Sequence, residues 1–154
     1  MCYTRPMTNK FEILSLKSEL LNNLRELKFH SMTPIQASAL PLVLDGSDVI
    51  AQAKTGSGKT AAFGLGILNS MDMTSTHSQA LVLCPTRELA EQVATEIRSL
   101  ARMIKNTKVL TLCGGVHENH QIKSLSHGAH IVVGTPGRIL RLLKHGALDL
   151  RIMD

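Results

Sequence analysis

The stretch Ala53-Lys54-Thr55-Gly56-Ser57-Gly58-Lys59-Thr60 constrains this chain more than any other. It leaves the apolar run Asp48-Val49-Ile50-Ala51-Gln52 and enters the helix-like run Thr60-Ala61-Ala62-Phe63-Gly64-Leu65. A strand, a turn able to take positive φ at Gly56 and Gly58, and a helix start together set successive backbone N–H groups around a phosphate. The implied ligand is a nucleoside triphosphate. Lys59 then meets the β- and γ-phosphates as a point charge, and the Thr60 hydroxyl ligates the Mg²⁺ that bridges them. Ala53, Thr55, Gly56, Ser57 and Gly58 form the rest of the cradle. The strict pattern asks for glycine where Ala53 stands, so the match is to a variant of it. A glycine-rich loop that holds no nucleotide is the plain alternative.

At 154 residues the chain is long enough for one globular domain with a core, and too short for two of ordinary size. Apolar residues make up 44% and charged residues 19%, which excludes wholesale disorder. The net charge of +5 suits a polyanionic partner. Phe11, Phe29, Phe63 and Tyr3 are too few rings for a base-stacking platform, so a nucleic acid bound here is expected to be held by its backbone. Cys2, Cys84 and Cys113 are an odd, sparse set that reads as reduced thiols in the cytoplasm, with no disulfide. No apolar stretch reaches membrane-spanning length and no signal layout opens the chain, so no membrane association and no stable oligomer are expected.

Three segments are expected: residues 1–10 as an extension, either disordered or upstream of a true start at Met7; residues 11–45 as a helical segment; and residues 46–154 as an α/β domain. Leu16, Leu20, Leu21, Leu24 and Leu27 recur at helical spacing, with Ser15 or Ser18 as cap. Thr33 at the cap and Pro34 in the first turn announce a second helix ending near Pro41. Ala80–Cys84, Lys108–Cys113 and His130–Gly134 are apolar runs suited to buried parallel strands. Between them lie a helix with a Leu89, Val93, Ile97, Leu100 stripe and a short polar helix near Gln121–Ser126. A last helix follows, with Ile139, Leu140, Leu142 and Leu143 inward. Strands alternating with helices give an α/β fold with a mainly parallel sheet, whose ligands bind beyond the carboxyl ends of the strands. The phosphate loop, Pro85-Thr86-Arg87, Gly114-Gly115 and Thr135-Pro136-Gly137-Arg138 are all expected at that edge.

With these residues in view, the chain resembles the N-terminal RecA-like domain of DEAD-box ATP-dependent RNA helicases, from about Phe11 to about Leu143. Thr33-Pro34-Ile35-Gln36 is similar to the Q motif, with Phe11 at the spacing of its upstream aromatic, and Ala53 to Thr60 to motif I. Pro85-Thr86-Arg87-Glu88-Leu89-Ala90 looks like motif Ia, Gly114-Gly115 the GG motif and Thr135-Pro136-Gly137-Arg138 motif Ib. The wording of Gln52–Gly66 and of Ala80–Ala90 looks most like the bacterial DbpA type. The resemblance implies ATP and Mg²⁺ as cofactors, Lys59 and Thr60 as the catalytic contribution of this segment, and Gln36 as reader of the adenine edge, an amide that donates and accepts at once. It implies that Phe11 packs against the base and that Pro85, Thr86, Arg87, Gly114, Gly115, Thr135, Pro136, Gly137 and Arg138 meet the RNA sugar-phosphate backbone, with ribosomal RNA one candidate. Each has a simpler reading beside it. Thr33 and Gln36 have the spacing of a capping box, Phe11 of a core residue, the threonines of helix caps and the arginines of solvated charges.

Cys113, His117, His120, His127 and His130 crowd one stretch but match no paired zinc-ligand spacing. Arg98, Arg102, Lys105 and Lys108 read as a solvated helix face, with nucleic-acid contact the alternative. Lys28 stands where the family usually has glycine, and Met32 where it usually has proline. The sequence ends at Asp154 without an Asp-Glu-Ala-Asp motif, although Asp154 has the identity of its first residue. Without that acidic pair, and without a second RecA-like domain, hydrolysis by this chain alone is not expected. Poor solubility or partial folding is, because the strand that carries the motif belongs to the sheet interior. The alternative is a non-catalytic remnant that binds nucleotide or RNA weakly.

Overall fold

The computed structural model describes residues 9–151. Expectations for the extension before Asn9 and for Asp154 fall outside them. The chain divides into two compact units, Met1–Ser70 and Met71–Asp154. The division falls at the start of the polar stretch Met71–Ser78, whereas sequence reasoning draws its boundary between residues 45 and 46.

The first unit is helical: a 3-10 turn at Phe11–Ile13, then α1 (Ser18–Glu26), α2 (Pro34–Leu44) and α3 (Lys59–Ser70). Leu20, Asn23 and Leu24 of α1 are buried. Neither serine caps this helix; the N-cap is Lys17, without a side-chain cap bond. The Ser18 hydroxyl donates instead to Glu19 Oε2 at 2.9 Å. Asn69 holds the helix entry from α3, accepting from Lys17 N–H at 2.8 Å and donating to the Ser15 carbonyl at 3.1 Å. α2 runs three residues beyond the expected stop and carries Pro41 inside it. A proline removes one helical N–H, yet the carbonyl of Pro41 still accepts from Asp45 N–H at 3.1 Å and the next turn closes. α2 and α3 lie in close contact, with Val43 seated over Gly66: a Cβ built on Gly66 would fall 2.2 Å from Val43 Cγ1.

The strand expected at Asp48–Gln52 does not form, and Ile50 is fully exposed. A strand exists only by pairing, and no ladder partner for this segment is present among the described residues. Its apolar character alone does not make it one.

The second unit holds a three-stranded parallel sheet in the order β1-β3-β2, from Ala80–Leu83, Val109–Leu112 and Ile131–Gly134 in chain order. Central β3 is buried at all four positions, as a parallel strand covered on both faces should be. α4 (Arg87–Leu100) packs on β2 and β3, α5 (Glu118–Ser126) on β2, and α6 (Pro136–Lys144) follows β3. Leu112, Ala129, Val132, Ile139, Leu142 and Leu148 form the core. On α4 the buried stripe is Ala90, Val93, Ala94, Ile97 and Leu100, while Leu89 is exposed. Two alanines rather than a leucine lie toward the sheet. On α6, Ile139 and Leu142 are buried and Leu140 is exposed, because it sits about 100° round the helix from Ile139.

Arg98, Arg102, Lys105 and Lys108 are all exposed, as a solvated face requires, and Arg98 is in addition anchored to the sheet. Its Nη2 donates to the Val109 carbonyl at 3.0 Å and to Thr111 Oγ1 at 3.1 Å, on the outer margin of β2. Lys108 Nζ donates to the His127 carbonyl at 2.8 Å. Buried His130 accepts Lys108 N–H on Nδ1 at 3.0 Å, ordering the entry to β2. Among the described residues no helix is long and apolar enough to cross a membrane.

Candidate functional site

In the first unit the loop through Ala53–Gly58 enters α3 at Lys59. Gly56 and Gly58 take φ of 78° and 89°, a region where glycine alone is unstrained. The N–H groups of Lys59, Thr60 and Ala61 head the helix and have no acceptor within it, at the positive end of its dipole. Lys59 Nζ lies back across the loop, donating to the carbonyls of Ala53 and, at 2.8 Å, of Lys54. Ser57 Oγ is buried and has no hydrogen-bond partner.

The start of α2 is bonded to this loop. Thr33 and Gln36 form the capping box, with Gln36 Oε1 accepting from Thr33 N–H at 2.9 Å. The same two side chains also reach the loop. Thr33 Oγ1 donates to the Ser57 carbonyl at 2.8 Å, and Gln36 Nε2 donates to the Gly58 carbonyl at 3.1 Å. A Cβ on Gly58 would fall 2.4 Å from Gln36 Nε2, so glycine is required there by contact as well as by conformation. Gln36 is 2% exposed, and its amide retains one N–H and one acceptor position beyond those bonds. Phe11 is 3% exposed and is a core residue, with almost none of its ring open to a ligand. Met32 N–H donates to the Asn9 carbonyl at 2.6 Å, a bond that proline at this position would remove. Lys28 takes φ 60° without being glycine.

In the second unit three of the expected segments emerge together. Leu83, Gly134 and Leu112 stand side by side in the sheet register, so the turns that follow the three strands share its carboxyl edge. After β1, Thr86 caps α4, its Oγ1 accepting Leu89 N–H at 3.2 Å, and Pro85 and Arg87 are exposed. After β2, Gly114 and Gly115 are exposed, and a Cβ on Gly115 would lie 2.8 Å from Arg87 Nη1. After β3, Thr135 is the N-cap of α6 but makes no side-chain cap bond, and Pro136 opens the helix. Pro136 and Gly137 are exposed. Arg138 donates from Nη1 to Gln121 Oε1 at 2.6 Å and from Nη2 to the Val116 carbonyl at 3.1 Å. Buried under these turns, Cys84 and Cys113 are free thiols. Burial pushes both above the ordinary thiol range; Cys113 adds to the rise at Cys84, and hydrogen bonds from Thr135 oppose it at Cys113.

Comparison with family models matches residues 33–154 to the family described as DEAD/DEAH box helicase. The chain belongs to that family. This DEAD/DEAH box chain is 60% identical over 134 residues to the ATP-dependent RNA helicase DbpA of Escherichia coli K12, covering 87% of itself and 29% of that protein. It is 47% identical over 140 residues to the ATP-dependent RNA helicase DeaD of Klebsiella pneumoniae, covering 91% of itself and 22% of that protein. It therefore spans less than a third of the length of either relative. Among solved structures it is similar to a DEAD box protein from the hyperthermophile Methanococcus jannaschii, with a TM-score of 0.88 and 42% identity over 94% of this chain and 39% of that one. It is also similar to Saccharomyces cerevisiae Dbp5 bound to RNA and ADP BeF3, with a TM-score of 0.84 and 32% identity over 95% of this chain and 37% of that one. The α/β architecture with a parallel sheet is thus that of DEAD-box RecA-like domains.

One residue of this DEAD/DEAH box chain escaped sequence reasoning. Gln121, on the short polar helix, is buried and bonded both to Arg138 and, through Nε2, to the Cys113 carbonyl at 3.0 Å. The signal was present in its spacing: Gln121 shares a helical face with half-buried Leu125, a polar residue where the pattern asks for an apolar one.

Proposed function

We propose that the chain is the nucleotide- and RNA-backbone-binding part of an ATP-dependent RNA helicase of the cytoplasm. In the whole protein, ATP binding and hydrolysis are coupled to local separation of RNA strands. The observation that carries the proposal is the loop of the first unit: two left-handed glycines lead into a helix whose first N–H groups have no internal acceptor, beside a lysine and an unpartnered buried hydroxyl. These residues fit a triphosphate. Lys59 exchanges the carbonyls of Ala53 and Lys54 for β- and γ-phosphate oxygens, a charge-assisted replacement. Ser57 Oγ supplies a further polar contact, and Ala53, Thr55, Gly56 and Gly58 shape the cradle. Thr60 would hold Mg²⁺, which neutralises phosphate charge when bound.

Gln36 reads adenine with its remaining N–H and acceptor, and its bond to Gly58 links base recognition to the loop. On the second unit, Thr86, Arg87, Gly114, Gly115, Thr135, Gly137 and Arg138 meet RNA phosphates and sugars, with Pro85 and Pro136 fixing the turns. Such contacts give affinity and register without base specificity.

Nucleotide titration tests the proposal on the wild-type chain and on Lys59→Ala. ATP is expected to bind more tightly than GTP, and Lys59→Ala to weaken ATP by at least about tenfold, the loss of one charge-assisted contact. Equal affinity for ATP and GTP would remove the role of Gln36. Unchanged ATP binding in Lys59→Ala would remove the phosphate site.

A further inference from the structure

We infer that Gln121 is a positioning residue that aims the guanidinium of Arg138 at an RNA phosphate; the inference rests on the RNA-binding reading above. An arginine side chain loses rotamer entropy when it is fixed, so one held in place beforehand binds an anion better than a free one. Arg138 is held at two points, by Gln121 Oε1 at 2.6 Å and by the Val116 carbonyl at 3.1 Å. Of the five guanidinium N–H groups, those bonds use one on each terminal nitrogen and leave three for a ligand.

Gln121 is itself fixed. Its Nε2 donates to the Cys113 carbonyl at 3.0 Å, directly after β2, which turns Oε1 toward the arginine. The amide cannot be reversed, because its NH₂ would then face the guanidinium and its oxygen the carbonyl. Gln121 is only 7% exposed, so this is a buried polar side chain whose donor and acceptor are both committed. The bonds run from the end of β2 through Gln121 to Arg138 and back to Val116, enclosing Gly114 and Gly115. The turn after β2 and the arginine after β3 therefore form one ordered surface at the carboxyl edge of the sheet.

The test measures binding of a fluorescent single-stranded RNA to the full 154-residue chain across a salt series. Gln121→Met keeps size and carries no charge before or after. It is expected to weaken RNA binding on the order of tenfold and to lower the slope of log K against log salt by about 0.7, the signature of one lost phosphate contact. A residue serving only stability would leave that slope alone. Arg138→Ala is expected to give the same two changes, and Gln121→Met added to it no more. Arg138→Lys, which leaves Gln121 in place and keeps the charge but not the two-point anchorage, should lose affinity as Gln121→Met does. Full affinity in Arg138→Lys, or an unaltered slope in Gln121→Met beside a reduced one in Arg138→Ala, would overturn the inference. If Arg87→Ala and Arg138→Ala both leave RNA binding and its salt slope at wild-type values, the RNA reading itself fails and this inference with it.

Discussion

Replacing Gly66 with alanine sets two effects against each other within α3. Alanine in a helix interior is favoured over glycine by about 1 kcal/mol. The new Cβ, however, would lie 2.2 Å from Val43 Cγ1, about 1.2 Å inside the 3.4 Å at which ordinary contact begins. Val43 cannot swing aside at low cost, because a β-branched side chain on a helix keeps one rotamer about 90% of the time. α2 and α3 must then separate, and overpacking of this kind costs about 1–3 kcal/mol. Gly66→Ala is therefore expected to destabilise the first unit by ~1 kcal/mol net. In a Val43→Ala background the clash is gone and the same substitution should stabilise by ~1 kcal/mol. Equilibrium urea denaturation of the four chains reads this as a change of sign in the midpoint shift at constant m. Since α2 carries Gln36 and α3 follows Gly58, separation of the helices should also weaken the preference for ATP over GTP. A Gly66→Ala chain that is more stable than wild type, or the same shift in both backgrounds, would refute the packing argument.

Lys28→Gly should stabilise the chain by about 0.5–1 kcal/mol in the same denaturation assay, since Lys28 holds a left-handed φ of 60° that costs a side-chain-bearing residue ~1–2 kcal/mol and glycine's unfolded-state entropy returns part of it. Cys84 and Cys113 titrate above the ordinary thiol range because burial disfavours the thiolate. The unfolded chain thus releases these protons first; stability should be level below the ordinary thiol range and fall as pH climbs through it toward the folded values. A Cys84→Ala, Cys113→Ala chain should lack that fall when denaturation is compared from neutral to alkaline pH.

Local chemistry was readable where it acts over a few residues. Thr33-Pro34 announces α2, Thr86 caps α4, and the three apolar runs became three parallel strands because each is of strand length and bounded by turns. The segment Asp48–Gln52 was misread because pairing is decided by a neighbour, not by the composition of the run itself. The same holds for Leu89, whose phase on α4 follows from the alanines that let the helix approach the sheet. In the loop before α3, the spacing of Gly56 and Gly58 announces the left-handed φ that both adopt, whereas the left-handed φ of Lys28 has no such signal in a lysine. The spacing of Thr33 and Gln36 announces the capping box that the structure contains, whereas the bond from the other end of the Gln36 amide to the Gly58 carbonyl depends on a residue 22 positions away and is not legible from it. Gln121 was missed because its role is set by carbonyls and a guanidinium distant in sequence.

Arg98 places a charge on the outer edge of the sheet. By occupying the outward carbonyl of Val109 it guards one point of the β2 edge, since a strand pairing there would have to displace a guanidinium from its acceptor. A cation held on an edge carbonyl is a charged guard of the kind that discourages edge-to-edge pairing at that point of the sheet.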